Sequence, residues 1–214
     1  MKLKVCGMKD SRNIQELTKA VNLDWMGMIF YPPSPRFVGD EPEAILTDPG
    51  LKKVGVFVNE PLASIQEKAV RFGLSVLQLH GDESVEEVRL IKEKTGLEIF
   101  KVFKVGDQLD WSELKPYLPC VDYFLFDTFT KQYGGSGKTF NWDLLKTYPF
   151  DKPFILSGGI ESEYMNDIVS LKKEVPQLEG LDINSRFEVS PGLKDIERIK
   201  AFKEQLIMAI AKVQ

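Results

Sequence analysis

Eight short apolar runs alternate with amphipathic helical patterns along this chain. The first run, Lys2-Leu3-Lys4-Val5-Cys6, turns through Gly7 into a helix that Asp10 or Ser11 would cap and that carries Ile14, Leu17 and Val21 on one face. Further strands are predicted over residues 24–30, 52–58, 75–79, 98–105, 123–126, 154–156 and 181–183. Between and after them, helices are expected around 42–46 and over 61–72, 84–94, 111–117, 142–148, 162–175 and 195–211. The apolar steps are of three and four residues: Leu62, Ile65, Ala69 and Phe72; Val85, Val88 and Ile91; Ile196, Ile199, Phe202, Leu206 and Ile210. Strand, helix and strand in strict alternation make parallel crossovers, hence an α/β fold. Eight units of about 27 residues fit the 214 available only if the loops are short, which is the size of a (β/α)₈ TIM barrel. An open doubly wound sheet would want a G-x-G-x-x-G turn after the first strand, and Cys6-Gly7-Met8-Lys9 is not one. No linker or low-complexity segment interrupts the pattern, so residues 1–214 are read as one barrel domain.

Composition narrows the function. Hydrophobic residues make up 43% and charged residues 28%, ordinary for a soluble globular protein. A net charge of −4 argues against a nucleic acid or an anionic membrane as partner. No apolar run approaches the roughly 20 residues of a membrane span, and no signal-peptide pattern opens the chain. Two cysteines, Cys6 and Cys120, form no disulfide framework, and with a single histidine, His80, a metal site is not expected. The expectation is a reduced, cytoplasmic protein.

In a barrel, the residues just past each strand share one mouth. Here they are Cys6, Arg36, Asn59, His80, Asp127, Ser157-Gly158-Gly159 and Asn184-Ser185. Cys6 is either a small buried hydrophobe or a thiolate base or nucleophile. Asp127 follows Tyr123-Phe124-Leu125-Phe126 and is either an acceptor for loop amides or an acid–base group in apolar surroundings. Arg36 sits in a turn stiffened by Pro32, Pro33 and Pro35, a placement suited to bidentate capture of a carboxylate. His80 is either a substrate contact or a hydrogen-bonded strand-end residue. Gly158 and Gly159 after the seventh strand, with Asn184 and Ser185 after the eighth, match the loops where barrels bind phosphate through backbone N–H groups; the alternative is two unrelated turns. Gly134-Gly135-Ser136-Gly137-Lys138-Thr139 lacks the first glycine of a P-loop, where Gln132 stands, and is read as a lid over the mouth.

With these residues assembled, the chain resembles the phosphoribosylanthranilate isomerase family of tryptophan biosynthesis. The resemblance rests on Lys4-Val5-Cys6-Gly7, Phe30-Tyr31-Pro32 with Ser34-Pro35-Arg36, Val54-Gly55-Val56-Phe57-Val58-Asn59, Leu77-Gln78-Leu79-His80-Gly81 and Phe126-Asp127-Thr128. It continues through Tyr133-Gly134-Gly135-Ser136-Gly137-Lys138-Thr139-Phe140 and Leu156-Ser157-Gly158-Gly159-Ile160. The resemblance implies an Amadori rearrangement of a phosphosugar without metal or organic cofactor. It implies Asp127 as general acid, Cys6 as general base and Arg36 on the substrate's carboxylate. Gly158, Gly159, Asn184 and Ser185 would hold the phosphate, with His80 as a further substrate-binding candidate. The assembly expected is a monomer or a homodimer. One departure is visible: Arg186 stands where the family usually has a glycine.

Two alternatives are carried beside this reading. The related Amadori isomerase of histidine biosynthesis uses an aspartate where this chain has Cys6 and tends to an internal half-barrel repeat, which this chain lacks. A non-catalytic phosphosugar-binding barrel would have no call for both Cys6 and Asp127. A lyase or aldolase reading would need a Schiff-base lysine at a strand end; Lys101 and Lys104 lie on the fifth strand, but no other feature supports that role.

Overall fold

A computed structural model describes residues 1–39, 51–106, 108–128 and 142–212. The strands are β1 Lys2–Val5, β2 Trp25–Ile29, β3 Lys52–Phe57, β4 Val76–Leu79, β5 Glu98–Val105, β6 Tyr123–Thr128, β7 Phe154–Ser157 and β8 Leu178–Ile183. All eight are parallel and close into a barrel in sequence order. Closure falls to β1, which pairs with β2 on one side and with β8 on the other, from Lys2↔Gly180 to Val5↔Ile183.

Alternation along each strand decides which side chains enter the barrel. On β6, Phe124 and Phe126 join the large core between strands and helices, while Leu125 joins the cluster inside the barrel. That inner cluster is Trp25, Val54, Val76, Phe100, Val102, Leu125 and Ile155, with Tyr123 against it. Aromatic edges fill the floor: the Trp25 ring meets Phe100 at 5.3 Å and Tyr123 at 5.6 Å between centroids.

The helices are α1 Ser11–Ala20, α2 Leu62–Phe72, α3 Val85–Thr95, α4 Trp111–Leu114, α5 Met165–Glu174 and α6 Ile196–Ala211. Their starts follow from local chemistry. Asp10 accepts from Asn13 N at the head of α1, Asp195 accepts from Arg198 N at α6, and Ser84 with Glu87 makes a capping box at α3. The apolar stripes read from the sequence face the barrel: Ile14 and Leu17, Ile65, Ala69 and Phe72, Val88 and Ile91, and Ile199, Phe202, Leu206 and Ile210 are all buried.

Several elements differ from the expectation. The helix over 142–148 is a 3₁₀ helix, Trp142–Thr147, and the one over 162–175 begins as a 3₁₀ turn, Ser162–Tyr164, before α5. β8 starts at Leu178; Glu179 and Gly180 interrupt its apolar run, which is why the sequence pattern marks the strand only from 181. Gly180 is there for space: a Cβ on it would stand 3.1 Å from the Trp25 ring. After β8 comes an antiparallel hairpin that the sequence did not announce, β9 Glu188–Ser190 with β10 Leu193–Lys194. The expected short helix at 42–46 and the glycine-rich turn at 134–137 lie outside the described residues.

The hairpin is fastened to the first helix by one side chain. Asn13, 6% exposed, donates to Lys194 O at 3.0 Å and accepts from Lys194 N at 2.8 Å. Its amide thus satisfies both backbone groups of a buried residue. Asn13→Ala is expected to lower unfolding free energy by about 2–4 kcal/mol, since it strands two buried backbone groups. Urea unfolding of the variant should show a lower midpoint at unchanged slope. A midpoint equal to wild type would remove the clamp from the account.

Candidate active site

Strand register sets the chemistry of the mouth. Side by side across β1, β8, β7, β6 and β5 stand Lys4, Asp182, Ser157, Asp127 and Lys104. Lys4 is fully buried and donates to Asp182 Oδ1 at 3.0 Å. Cys6 follows β1 on the same face as Lys4, and its own N–H donates to Ile183 O at 2.9 Å, carrying the β1–β8 pairing one residue further. The thiol and the ammonium approach each other over Gly27 of β2. A Cβ on Gly27 would fall 2.8 Å from Cys6 Sγ and 2.9 Å from Lys4 Nζ, so any larger residue there would push one of them away.

These three groups set one another's protonation. Burial pushes the Cys6 thiol above its ordinary value, and Lys4 offsets only part of that. Burial also pushes Asp182 up, again partly offset by Lys4. For Lys4 burial works downward, but Asp182 and Cys6 outweigh it and hold the ammonium above its usual value. One buried cation therefore serves two acids.

Arg36 is delivered by a tight turn in which Ser34 N donates to Tyr31 O, Phe37 N to Ser34 O, and Arg36 N to Ser34 Oγ. Its side chain passes directly over Gly7, whose φ is +73°. A Cβ on Gly7 would stand 2.7 Å from Arg36 Cδ and 2.9 Å from Asn184 Oδ1. So Gly7 serves twice, as a left-handed turn and as the space through which three loops meet. Arg36 Nε and Nη2 hold Glu188 at 2.7–3.0 Å. That uses one edge of the guanidinium and leaves the Nη1/Nη2 edge, a second planar fork, for another carboxylate. Glu188 also accepts from Lys194 Nζ at 2.6 Å and from Gly192 N at 3.1 Å, and Lys194 Nζ continues to Asn184 Oδ1 at 2.8 Å.

Asp127 is the last residue but one of β6, and with its side chain 28% exposed it stands at the open end rather than sealed within the apolar run that precedes it. His80 reaches it from β4, with Nε2 3.5 Å from Asp127 Oδ2. The loop that carries His80 is pinned from outside the barrel. Glu83 accepts from Asn59 N and Gly81 N, both at 3.0 Å, and from buried Lys101 Nζ at 2.9 Å. Lys101 also donates to Gly81 O at 2.8 Å, and this engagement removes it as a Schiff-base candidate. Asn59 sits at φ +51° and accepts from Asp82 N at 2.7 Å.

After β7, Gly158 and Gly159 adopt φ of +88° and +62°. The position of a Cβ on Gly159 meets nothing within 4 Å, so this backbone is open to a ligand. After β8, Asn184 precedes the 3₁₀ turn Ser185–Phe187, with Ser185 exposed. The two loops are tied by Arg186, which meets Glu161 at 3.2 Å, while Arg198 meets the same carboxylate at 2.9 Å. Cys6, Arg36 and Asn184 therefore meet around Gly7, and His80 meets Asp127. Lys4, Asp182, Glu188 and Lys194 belong to the same cluster, and none of them stands out as a site residue in the sequence. Lys4 could have been found from its parity with Cys6 along one strand.

The profile of the family described as N-(5'-phosphoribosyl)anthranilate (PRA) isomerase matches residues 3–205. A Parabacteroides distasonis protein named N-(5'-phosphoribosyl)anthranilate isomerase is 44% identical over 211 residues, covering 97% of this chain and 94% of that protein. Among solved structures, one described as mutually generated monomers of dimeric phosphoribosylanthranilate isomerase from Thermotoga maritima superposes with a TM-score of 0.77 at 29% identity, covering 97% of this chain and 99% of that one. A phosphoribosyl anthranilate isomerase in complex with reduced 1-(o-carboxyphenylamino)-1-deoxyribulose 5-phosphate gives 0.75 at 26% identity, with the same coverage.

Glu188 offers a direct test of the Arg36 mounting. Burial works upward on its carboxyl, but Arg36 and Lys194 outweigh burial and hold it below the usual carboxylate range. A depressed carboxylate contributes stability above its unfolded value, about pH 4.3, and loses it as pH falls through the folded one. Glu188→Gln should therefore lower the urea midpoint at pH 7 and flatten its decline below about pH 4. Parallel acid declines in variant and wild type would show that Glu188 is not the carboxylate that matters.

Proposed function

Because the chain belongs to the N-(5'-phosphoribosyl)anthranilate isomerase family, its reaction is the Amadori rearrangement of tryptophan biosynthesis, and we propose that Cys6 and Asp127 carry the proton transfers. The substrate is N-(5-phosphoribosyl)anthranilate and the product 1-(o-carboxyphenylamino)-1-deoxyribulose 5-phosphate. Asp127, as the carboxylic acid, gives its proton to the ribose ring oxygen. The C1–O bond breaks and the anilino nitrogen's lone pair forms an iminium. Cys6, as the thiolate, removes the C2 proton, and the electrons of that bond neutralise the iminium as an enolamine. A proton gained at C1 and one lost from the C2 oxygen give the ketone. Every atom of the substrate is retained, and the chemistry calls for no cofactor.

The remaining assignments follow the charges. Arg36 takes the anthranilate carboxylate on the guanidinium edge that Glu188 leaves open. Gly158, Gly159, Asn184 and Ser185 take the phosphate, the two glycines lying in the positive-φ turn after β7 and Ser185 being exposed after β8. The observation that carries the scheme is the buried Lys4 ammonium against Cys6, since a thiolate in that position needs a cation beside it. The partner is this phosphosugar alone, with no nucleic acid or membrane. Among the described residues no helix is long and apolar enough to cross a membrane. A cytoplasmic location suits two free cysteines. A monomer or a homodimer is the proposed assembly, the Thermotoga relative being described as dimeric.

Purified protein should turn over N-(5-phosphoribosyl)anthranilate; binding of the phosphosugar without turnover would favour a non-catalytic barrel. Asp127→Asn keeps the shape and removes the proton, so kcat should fall by about 10²–10⁴. Because the base must be the thiolate while Asp127 must keep its proton, activity against pH should be a bell whose limbs belong to Cys6 and Asp127 as a pair. Cys6→Asp should shift the bell to lower pH, whereas a profile unmoved by the exchange would place the base elsewhere.

Arg36→Ala should mainly raise KM, because its contact is equal in ground and transition states. Arg36→Lys should recover only part of the loss, lacking the planar fork. A substrate analogue without the carboxylate must then bind wild type and Arg36→Ala alike; a persisting difference would assign Arg36 to another part of the substrate.

A further inference from the structure

His80 has a neighbour on each side of its ring. Nε2 faces Asp127 Oδ2 at 3.5 Å, and Nδ1 lies 3.2 Å from the carboxamide nitrogen of Gln78. Gln78 precedes His80 by two residues on β4, shares its face, and is 1% exposed. An amide nitrogen only donates, so Nδ1 must present its lone pair and the ring proton must sit on Nε2, toward Asp127. The reversed carboxamide would bury an NH₂ group with no acceptor. The present one leaves only Oε1 unpaired among the described residues, and an orphan acceptor is the less costly kind.

The charges around the ring are mixed. Asp127 faces it from β6 and Asp182 acts on it from β8. Beside it a cavity of about 290 Å³ is lined by Asp82 and Glu83 of its own loop and by Lys101 and Lys104 of β5. Lys101 is already held by Glu83, so it is Gln78 that selects the tautomer.

We infer that Gln78 and His80 are positioning residues for the acid, a conclusion that rests on Asp127 in that role. His80 Nε2–H faces Asp127 Oδ2 across 3.5 Å, and this contact closes to a hydrogen bond when substrate is bound. That leaves Oδ1 as the oxygen that carries the acidic proton toward the ribose ring, and it steadies the carboxylate once the proton has gone. A neutral donor suits this task, because a full positive charge beside Asp127 would hold it ionised and take away the proton it must give. His80 thus serves the reaction through Asp127 rather than by touching the sugar.

The chain has one histidine, so isotope-labelled histidine yields a single imidazole in nitrogen NMR spectra. In wild type the Nε2–H tautomer should dominate the neutral ring, and Gln78→Met should lose that bias. A wild-type ring with its proton on Nδ1, or an even mixture, overturns the inference. In kinetics, His80→Leu should lower kcat by about 10–100-fold with KM within about twofold. His80→Gln, whose amide N–H stands near the place of Nε2, should recover most of the loss. Adding His80→Leu to Asp127→Asn should remove nothing further. A raised KM at unchanged kcat in His80→Leu, or losses that multiply in the double variant, would instead give His80 an independent role and leave Asp127 as the acid. Full turnover by Asp127→Asn alone would fail the reaction scheme itself, and the inference with it.

Discussion

Everything in this molecule hangs on the pairing of its first strand with its last. β1 closes the barrel against β8, and the seam is crossed by a buried ion pair, Lys4 to Asp182, between residues 178 positions apart. Such a pair is a poor source of net stability, because taking two charges out of water costs nearly as much as their attraction returns. Losing one partner is another matter, since it leaves the other buried and unpaired, at about 3–5 kcal/mol. The seam is therefore held by a contact whose value lies in being complete. It is also where Cys6 sits, so closure and the thiol's electrostatics are one arrangement.

The mouth is organised by what is left out as much as by what is present. Gly27 makes the room in which Cys6 and Lys4 meet, and Gly7 makes the room in which Arg36 and Asn184 meet. Around that space the Glu188–Ser190 and Leu193–Lys194 hairpin acts as a bracket. Glu188 holds Arg36, Lys194 holds Glu188 and Asn184, and Asn13 holds the hairpin's backbone. Arg36, the loop at Asn184 and the first helix are thus fixed relative to one another by a single short element.

How much of this the sequence disclosed follows from the range of the interactions. Strand ends are local events, so Cys6, His80, Asp127 and Gly158 could be placed from the apolar runs that precede them. Arg36 could be placed from its prolines. The hairpin could not, since strands of three and two residues carry no period, and Glu188 and Lys194 read as ordinary surface charges in a loop. Lys4 alternates with apolar neighbours, the same pattern as the solvent side of a half-exposed strand. Only closure, which turns that face inward, makes it a buried cation. Asn13 likewise lay within an amphipathic helix, and nothing local distinguishes a buried clamp from a polar flank. Gln78 sat in plain view beside His80, yet its meaning depends on Asp127, two strands away.

The separation of the two seam strands bears on how the chain is made. At about 5–20 residues per second, a ribosome needs roughly 10–35 s to add the residues between Lys4 and its partner. Throughout that time one edge of β1 has no strand to pair with, and an open edge is a template for a foreign one. Lys2 and Lys4 both lie on that strand. A misplaced neighbour would have to bury their ammonium groups without Glu179 or Asp182 to receive them. The same lysines that serve the finished barrel thus guard the nascent strand until its own partner arrives.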